Sequence, residues 1–275
     1  MIIVIQCDDR IGLVAAISNV MQQHELNITS LREHVDPVVK RFYIRLVTGH
    51  CEETQKLEAE LRHVLPPNAE VKVNPEPEKK IVVLVTKEYH CLSDILIRNY
   101  YGTLGGQVQC VIGNHEVLKD ICDRFEIPFY YISHEAKTKT QFEQELASSI
   151  KKYLAHYIVL AKFMRILSAD FVDQFKAQLI NIHHSFLPAF IGASPYKQAF
   201  ERGVKLIGAT AHFVTNDLDQ GPIIAQQIIS IDHAFTVGDM VKAGKEVETS
   251  VLVKAMKLVF EDRVFISNNK TVVFE

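Results

Sequence analysis

The chain has 275 residues, 48% of them hydrophobic, and a formal net charge of −3. That length can bury a large core and suits one large or two modest domains. The mixed, near-neutral charge argues against nucleic acid as the main partner, and no apolar run approaches the ~20 residues needed to span a bilayer. The opening Met1-Ile2-Ile3-Val4-Ile5-Gln6 meets Asp8-Asp9-Arg10 without a basic leader, so it reads as a first strand rather than a signal peptide. Leu13, Ile17, Val20 and Met21 follow helical spacing. Residues 27–35 and 39–47 are β-prone, with Asp36-Pro37 as a turn signal between them. Leu57, Leu61 and Val64 mark a second helix and residues 69–73 a last strand. This strand, helix, strand, strand, helix, strand order is the ferredoxin-like split arrangement. Two prolines and a charge run in Val73-Asn74-Pro75-Glu76-Pro77-Glu78-Lys79-Lys80 then predict a linker. The expected organisation is a first domain over 1–75, a linker over 76–80 and a second domain over 81–275.

The second part alternates strands and helices. Ile81-Val82-Val83-Leu84-Val85 is a continuous apolar run, as expected of a strand buried on both faces. Helical spacing follows at Leu92, Ile95 and Leu96. Strands are expected at 108–112, 129–132 and 157–160, and helices near 115–125, 139–153 and 169–175. The pattern predicts an α/β, Rossmann-like doubly wound parallel sheet, whose ligands bind at the carboxyl ends of the strands. Asn181 follows Gln178-Leu179-Ile180 and is expected just past a strand, at that edge. Residues 206–214 and 222–230 read as two further strands. Thr236-Val237-Gly238-Asp239 has capping-box-like spacing ahead of a long helix, and a final hairpin turns at Asn268-Asn269. Cys7, Cys51, Cys91, Cys110 and Cys122 are scattered with no Cys-x-x-Cys pair. Neither a disulfide framework nor a thiolate zinc site is indicated, and a cytoplasmic location is expected.

Chemistry concentrates in Asn181-Ile182-His183-His184-Ser185-Phe186-Leu187-Pro188 and in Asn216-Asp217-Leu218-Asp219-Gln220-Gly221-Pro222. Singly, the asparagine and Asp219 read as turn residues and the histidine as a satisfied polar group. Together an amide, an imidazole and a carboxylate can attack an amide-like carbonyl without a metal. The amide holds an oxyanion, the imidazole donates, and the carboxylate takes a proton from the nucleophile. A metal site built on His183, His184 and Asp219 is disfavoured, because adjacent residues of a strand point to opposite faces; no metal or cofactor is expected.

The joint pattern Asn-Ile-His-x-Ser-x-Leu-Pro, with Gly208-Ala209-Thr210-Ala211-His212-Phe213-Val214 and Leu218-Asp219-x-Gly221-x-Ile223-Ile224-x-Gln226, resembles the folate-dependent formyltransferase family. The resemblance implies that Asn181, His183 and Asp219 are the catalytic trio, with His184 and Asp217 beside it. It also implies that Met164, Arg165, Ile166 and Leu167 enclose a pterin on one side and Val214, Asp217 and Leu218 on the other. Residues 1–75 resemble the ACT module, through Asp8-Asp9-Arg10-Ile11-Gly12-Leu13-Val14 and Asn27-Ile28. Many such modules have proline where Ile11 stands and glycine within His24-Glu25-Leu26. The module implies oligomerisation, as a homodimer or homotetramer. A small amino-acid effector is also implied, near Asp8, Arg10, Gly12, Leu13 and Asn27.

The acceptor is narrowed by omission. Ribonucleotide-transferring relatives follow their first strand with a glycine-rich Gly-Asn-Gly-Ser-Asn-like loop, which suits a phosphate. Here Thr86-Lys87-Glu88-Tyr89-His90-Cys91-Leu92-Ser93 has no glycine. The tRNA-acting relatives carry an extra C-terminal domain, whereas here the additional module is N-terminal. Water remains. Thr86-Lys87-Glu88-x-His90-Cys91-Leu92, Val111-Ile112-Gly113-Asn114-His115, residues 182–193 and Arg263-Val264-Phe265 resemble the deformylase branch over essentially the whole chain. That resemblance implies hydrolysis of 10-formyltetrahydrofolate to tetrahydrofolate and formate, which balances the one-carbon pool and supplies formate for purine synthesis. The alternatives are formyl transfer to a small amine and a non-catalytic amino-acid sensor.

Overall fold

The computed structural model describes residues 1–189 and 195–275. Contacts divide it into two units: Met1–Pro77 with Glu261–Ser267 and Thr271–Glu275, and Glu78–Phe260 with Asn268–Lys270. In the first, β1 (Ile2–Asp8), α1 (Leu13–Gln23), β2 (Ile28–Asp36), β3 (Arg41–Thr48), α2 (Thr54–Val64) and β4 (Glu70–Val73) form an antiparallel sheet of order β2-β3-β1-β4. Alternation along β1 turns Ile3, Ile5 and Cys7 inward, where they meet Phe42, Ile44 and Leu46 of β3 and the apolar stripes of both helices. The turn after β2 is built as its sequence suggests: Asp36 Oδ1 accepts from the backbone N–H groups of Val38 and Val39.

The second unit runs β5 (Lys79–Val85), α3 (His90–Tyr100), β6 (Gly106–Gly113), α4 (Lys119–Arg124), β7 (Phe129–Tyr131), α5 (Lys139–Lys151), β8 (Tyr157–Leu160), α6 (Ala169–Gln174), β9 (Leu179–His183), α7 (Pro195–Arg202), β10 (Leu206–Phe213), β11 (Ile223–Ser230) and α8 (Val237–Phe260). The sheet order is β11-β10-β9-β8-β5-β6-β7. Strands β7, β6, β5, β8 and β9 are parallel, while β10 runs antiparallel to β9 and β11 to β10. The sheet is therefore mixed rather than wholly parallel. The run Ile81–Val85 is completely buried; Val82 and Leu84 share a core with α5 and α6. On α8, Thr236 Oγ1 accepts from the Asp239 N–H and the Asp239 carboxylate accepts from the Thr236 N–H, which closes the capping box.

Three boundaries differ from the sequence reading. Lys79 and Lys80, assigned to the linker, begin β5, and Lys79 is buried. Asn181, expected past its strand, lies inside β9, because pairing with β10 prolongs the ladder to His183. The C-terminal hairpin, β12 (Val264–Ser267) and β13 (Lys270–Val273), contributes Phe265 to an aromatic cluster with Tyr43 and Phe274, and Glu261–Ser267 and Thr271–Glu275 belong to the first unit. No helix among the described residues is long and apolar enough to cross a membrane.

Candidate active site

The chain turns outward on both sides of β5: β6 and β7 extend the sheet one way, β8 and β9 the other. Such a switch point leaves a crevice at the carboxyl ends of β5 and β8. Asn181 and His183 are two apart on β9 and so share a face, with Ile182 on the other. Across the ladder His212 stands opposite Asn181 and Thr210 opposite His183. The cross-strand pair is a hydrogen bond: the Asn181 amide lies 3.3 Å from His212 Nε2. His212 Nδ1 donates to the carbonyl of Phe213 at 2.9 Å, so in the neutral ring Nε2 is the acceptor.

Asp219 reaches this pair from the loop between β10 and β11. Its Oδ2 is 3.3 Å from His183 Nδ1 and its Oδ1 is 3.7 Å from His212 Nε2. It adopts the left-handed region at φ 55°, which a short polar side chain tolerates better than most. The Gly221 that follows is dictated by space. A Cβ there would lie 1.8 Å from the Phe213 carbonyl oxygen, where the Phe213 N–H also donates to the carbonyl of Pro222. Burial opposes ionisation of Asp219, but the hydrogen bond from His183 Nδ1 outweighs it and holds the carboxyl well below its ordinary range. His183 Nε2 is buried and without a hydrogen-bond partner among the described residues.

The segment after β9 is locked by residues that the motif contains. Thr210 Oγ1 donates to the Ser185 carbonyl and accepts from the Leu187 N–H and from Gln226 Nε2. Gln226 also donates to the Leu187 carbonyl, and Ser185 Oγ to that of Ala189. The Leu187–Pro188 peptide is cis. Phe190, Ile191, Gly192 and Ala193 of the motif lie outside the described residues. The expectation that His183 and His184 point to opposite faces fails: β9 ends at His183, the chain bends, and the two rings lie 5.0 Å apart.

One expected substrate loop follows the carboxyl end of β8; the other follows β10, whose last residue Phe213 pairs with Ile180 near the start of β9. Leu167 and Val214 pack against the same core cluster, while Met164, Arg165, Ile166, Asp217 and Leu218 are exposed. The Met164 N–H donates to Thr86 Oγ1 at 2.9 Å. At the other proposed site, Gly12 precedes α1 at φ 90°. Asp8 is paired with Arg41 at 3.3 Å, Arg10 donates to the Val64 carbonyl, and Asn27 is exposed. Leu13 is a core residue, so only its backbone can meet a ligand there. His90, Cys91 and Glu248 bring potential metal-ligand atoms within 4.8 Å of one another. The Lys162 ammonium, 3.0 Å from Glu248, already stands where a cation would, and burial pushes the Cys91 thiol up to about 12.

Residues 79–256 match the family model described as formyl transferase, and residues 1–65 match the ACT domain model. The formyltetrahydrofolate deformylase of Haemophilus influenzae is 48% identical over 273 residues, which cover 99% of this chain and 98% of that one. The chain belongs to the formyltetrahydrofolate deformylase family. A crystal structure of the formyltetrahydrofolate deformylase from Pseudomonas syringae pv. tomato superposes with a TM-score of 0.94 at 36% identity, covering 100% of this chain and 94% of that one. Glycinamide ribonucleotide transformylase 1 from Symbiobacterium toebii superposes with a TM-score of 0.70 at 28% identity over 74% of this chain and 98% of its own. Within this deformylase family fold, sequence reasoning missed His212 as a site residue. Its signal was present in Gly208-Ala209-Thr210-Ala211-His212, part of the family pattern in which the histidine was given no role. Lys162 opens the segment that resembles the pterin-enclosing stretch, whereas Tyr196 and Glu248 carried no signal of their own.

Proposed function

We infer that the chain hydrolyses 10-formyltetrahydrofolate to tetrahydrofolate and formate. The observation that carries this reading is the convergence of Asn181, His183 and Asp219 on one face of the carboxyl edge, in a chain similar over its whole length to proteins named for that activity. Asp219 takes a proton from a water molecule as its oxygen attacks the formyl carbon. The Asn181 amide, steadied by His212, stabilises the oxyanion with its free N–H. His183, as imidazolium, points Nδ1–H at Asp219 and donates from Nε2 to the same oxygen. As the tetrahedral intermediate collapses, the C–N10 bond breaks, and the proton held by Asp219 passes to N10. Side chains carry this sequence without a resident metal. The pterin sits between Met164–Leu167 and Val214–Leu218, whose exposed Met164, Ile166 and Leu218 offer it apolar cover.

Incubation with 10-formyltetrahydrofolate and no acceptor should release formate and tetrahydrofolate in equal amounts. Turnover only upon adding an amine would indicate a transferase instead. We also propose a cytoplasmic homodimer or homotetramer joined through β2, an edge strand whose interior positions are all exposed, including Leu31 and Val35. A monomer by light scattering would count against it. An amino acid such as glycine or methionine is proposed to bind by its carboxylate at the start of α1, where no side chain caps the helix. Rates measured with and without each amino acid test that.

A further inference from the structure

Behind the trio lies a buried polar cluster that the reaction scheme does not use. Glu248 of α8 is 1% exposed. Its Oε2 lies 2.8 Å from His90 Nε2 at the start of α3 and 3.0 Å from Lys162 Nζ, and its Oε1 accepts from the Tyr196 hydroxyl of α7 at 2.7 Å. Gly244, one turn before Glu248, makes room for this: a Cβ there would fall 2.1 Å from the Tyr196 oxygen. One carboxylate thus ties the crossover after β5, the crossover after β8, and α7 to α8.

Two of these ties end at the site. Tyr196 lies against the His184 ring, with centroids 6.2 Å apart, and His184 lies against His183 at 5.0 Å. Lys162 opens the loop 162–167, and it does so at φ 62°, a backbone region that costs a non-glycine residue energy and persists only where surrounding structure enforces it. That loop then presents Met164 and Ile166 to solvent at 58% and 65% exposure. Exposed apolar side chains on a backbone pinned by a buried ion pair suit an apolar ligand better than they suit stability. Stability gives little reason for such a pair, since apolar replacements of buried pairs are often neutral or better.

We propose that Glu248 is a positioning residue: it clamps the Lys162–Leu167 loop and the His183–His184 wall into one unit, so that folate affinity depends on a carboxylate that never touches the folate. This rests on the folate reading above. Burial opposes the charge on Glu248, but His90, Lys162 and Tyr196 together hold its carboxyl down to about 2, so the clamp is fully formed at neutral pH.

The test compares wild type with Glu248→Gln, Lys162→Met and the double variant. KM and kcat for formate release are measured, together with calorimetric affinity for tetrahydrofolate, which needs no turnover. The expected result is that KM and the tetrahydrofolate Kd rise together by about tenfold or more, with the double variant no worse than the worse single one, because each change releases the same loop. Folded Glu248→Gln with wild-type KM and tetrahydrofolate affinity, whatever its melting temperature, overturns the proposal. If Glu248→Gln does not fold, Lys162→Met alone reads the same loop. A wild type that binds tetrahydrofolate yet releases no formate would sink the hydrolase reading, and the calorimetric comparison would still decide this one.

Discussion

Replacing Gly221 by alanine tests whether Asp219 must be held where it is. The added Cβ would lie 1.8 Å from the Phe213 carbonyl oxygen and 2.9 Å from its carbon. Both are backbone atoms of β10, so no side chain can swing aside. Relaxed non-bonded contacts settle at roughly 3.5 Å, so strand and loop must part by more than ~1 Å. The hydrogen bond from Phe213 N–H to the Pro222 carbonyl goes with them. Asp219, two residues away, then leaves its 3.3 Å contact with His183. A misplacement of that size typically costs ~100-fold in kcat, and overpacking costs ~1–3 kcal/mol of stability. Folate KM should rise as well, because the displaced segment between Phe213 and Gly221 includes Val214–Leu218. Steady-state formate release and thermal melting measure both effects. Gly238→Ala is the control: its Cβ would meet only Thr236 Oγ1 at an ordinary 3.6 Å, and stability should hold or rise by ~0.4–1 kcal/mol. A folded Gly221→Ala protein with wild-type kcat would refute the argument.

Asp219→Asn keeps the shape and removes the base, so kcat should fall by ~100- to 10,000-fold with the melting temperature near wild type; near-full turnover would remove Asp219 from the mechanism. Thr210→Val preserves volume but strands the Leu187 N–H and the Gln226 amide, which should cost ~1–3 kcal/mol for each donor left unpaired, read by denaturant titration. Glu248 is depressed from 4.5 to about 2, so its contribution to stability is present above about pH 4.5 and is lost as pH falls towards 2. Glu248→Gln should therefore flatten the acid limb of a stability–pH curve. Dialysis against a chelator should leave formate release unchanged, since no step of the scheme calls on a metal.

Most of the architecture was legible from period and punctuation. The apolar run at 81–85, the helical spacing of Leu13, Ile17, Val20 and Met21, and the Thr236–Asp239 box are local signals, and the structure forms a strand, a helix and a cap there. Asn181, His183 and Asp219 could be named as a set from the resemblance of their two motifs to a family pattern, whereas the strand face that Asn181 and His183 share was not foreseen. Long-range pairing decided the rest. Register against β10 carried β9 on to His183 and put His212 opposite Asn181, a contact that spans 31 residues of chain. The bend after β9 drew His184 alongside His183, against the alternation a continued strand would impose. Glu248 shows the limit most clearly. In sequence it is one acidic residue on a long helix, indistinguishable from the solvated Glu246 two positions earlier. Only when α8 packs beside α3 and α7 do His90, Lys162 and Tyr196 surround it. A charge becomes a clamp through burial and partners, and both are properties of the folded chain rather than of any segment of it.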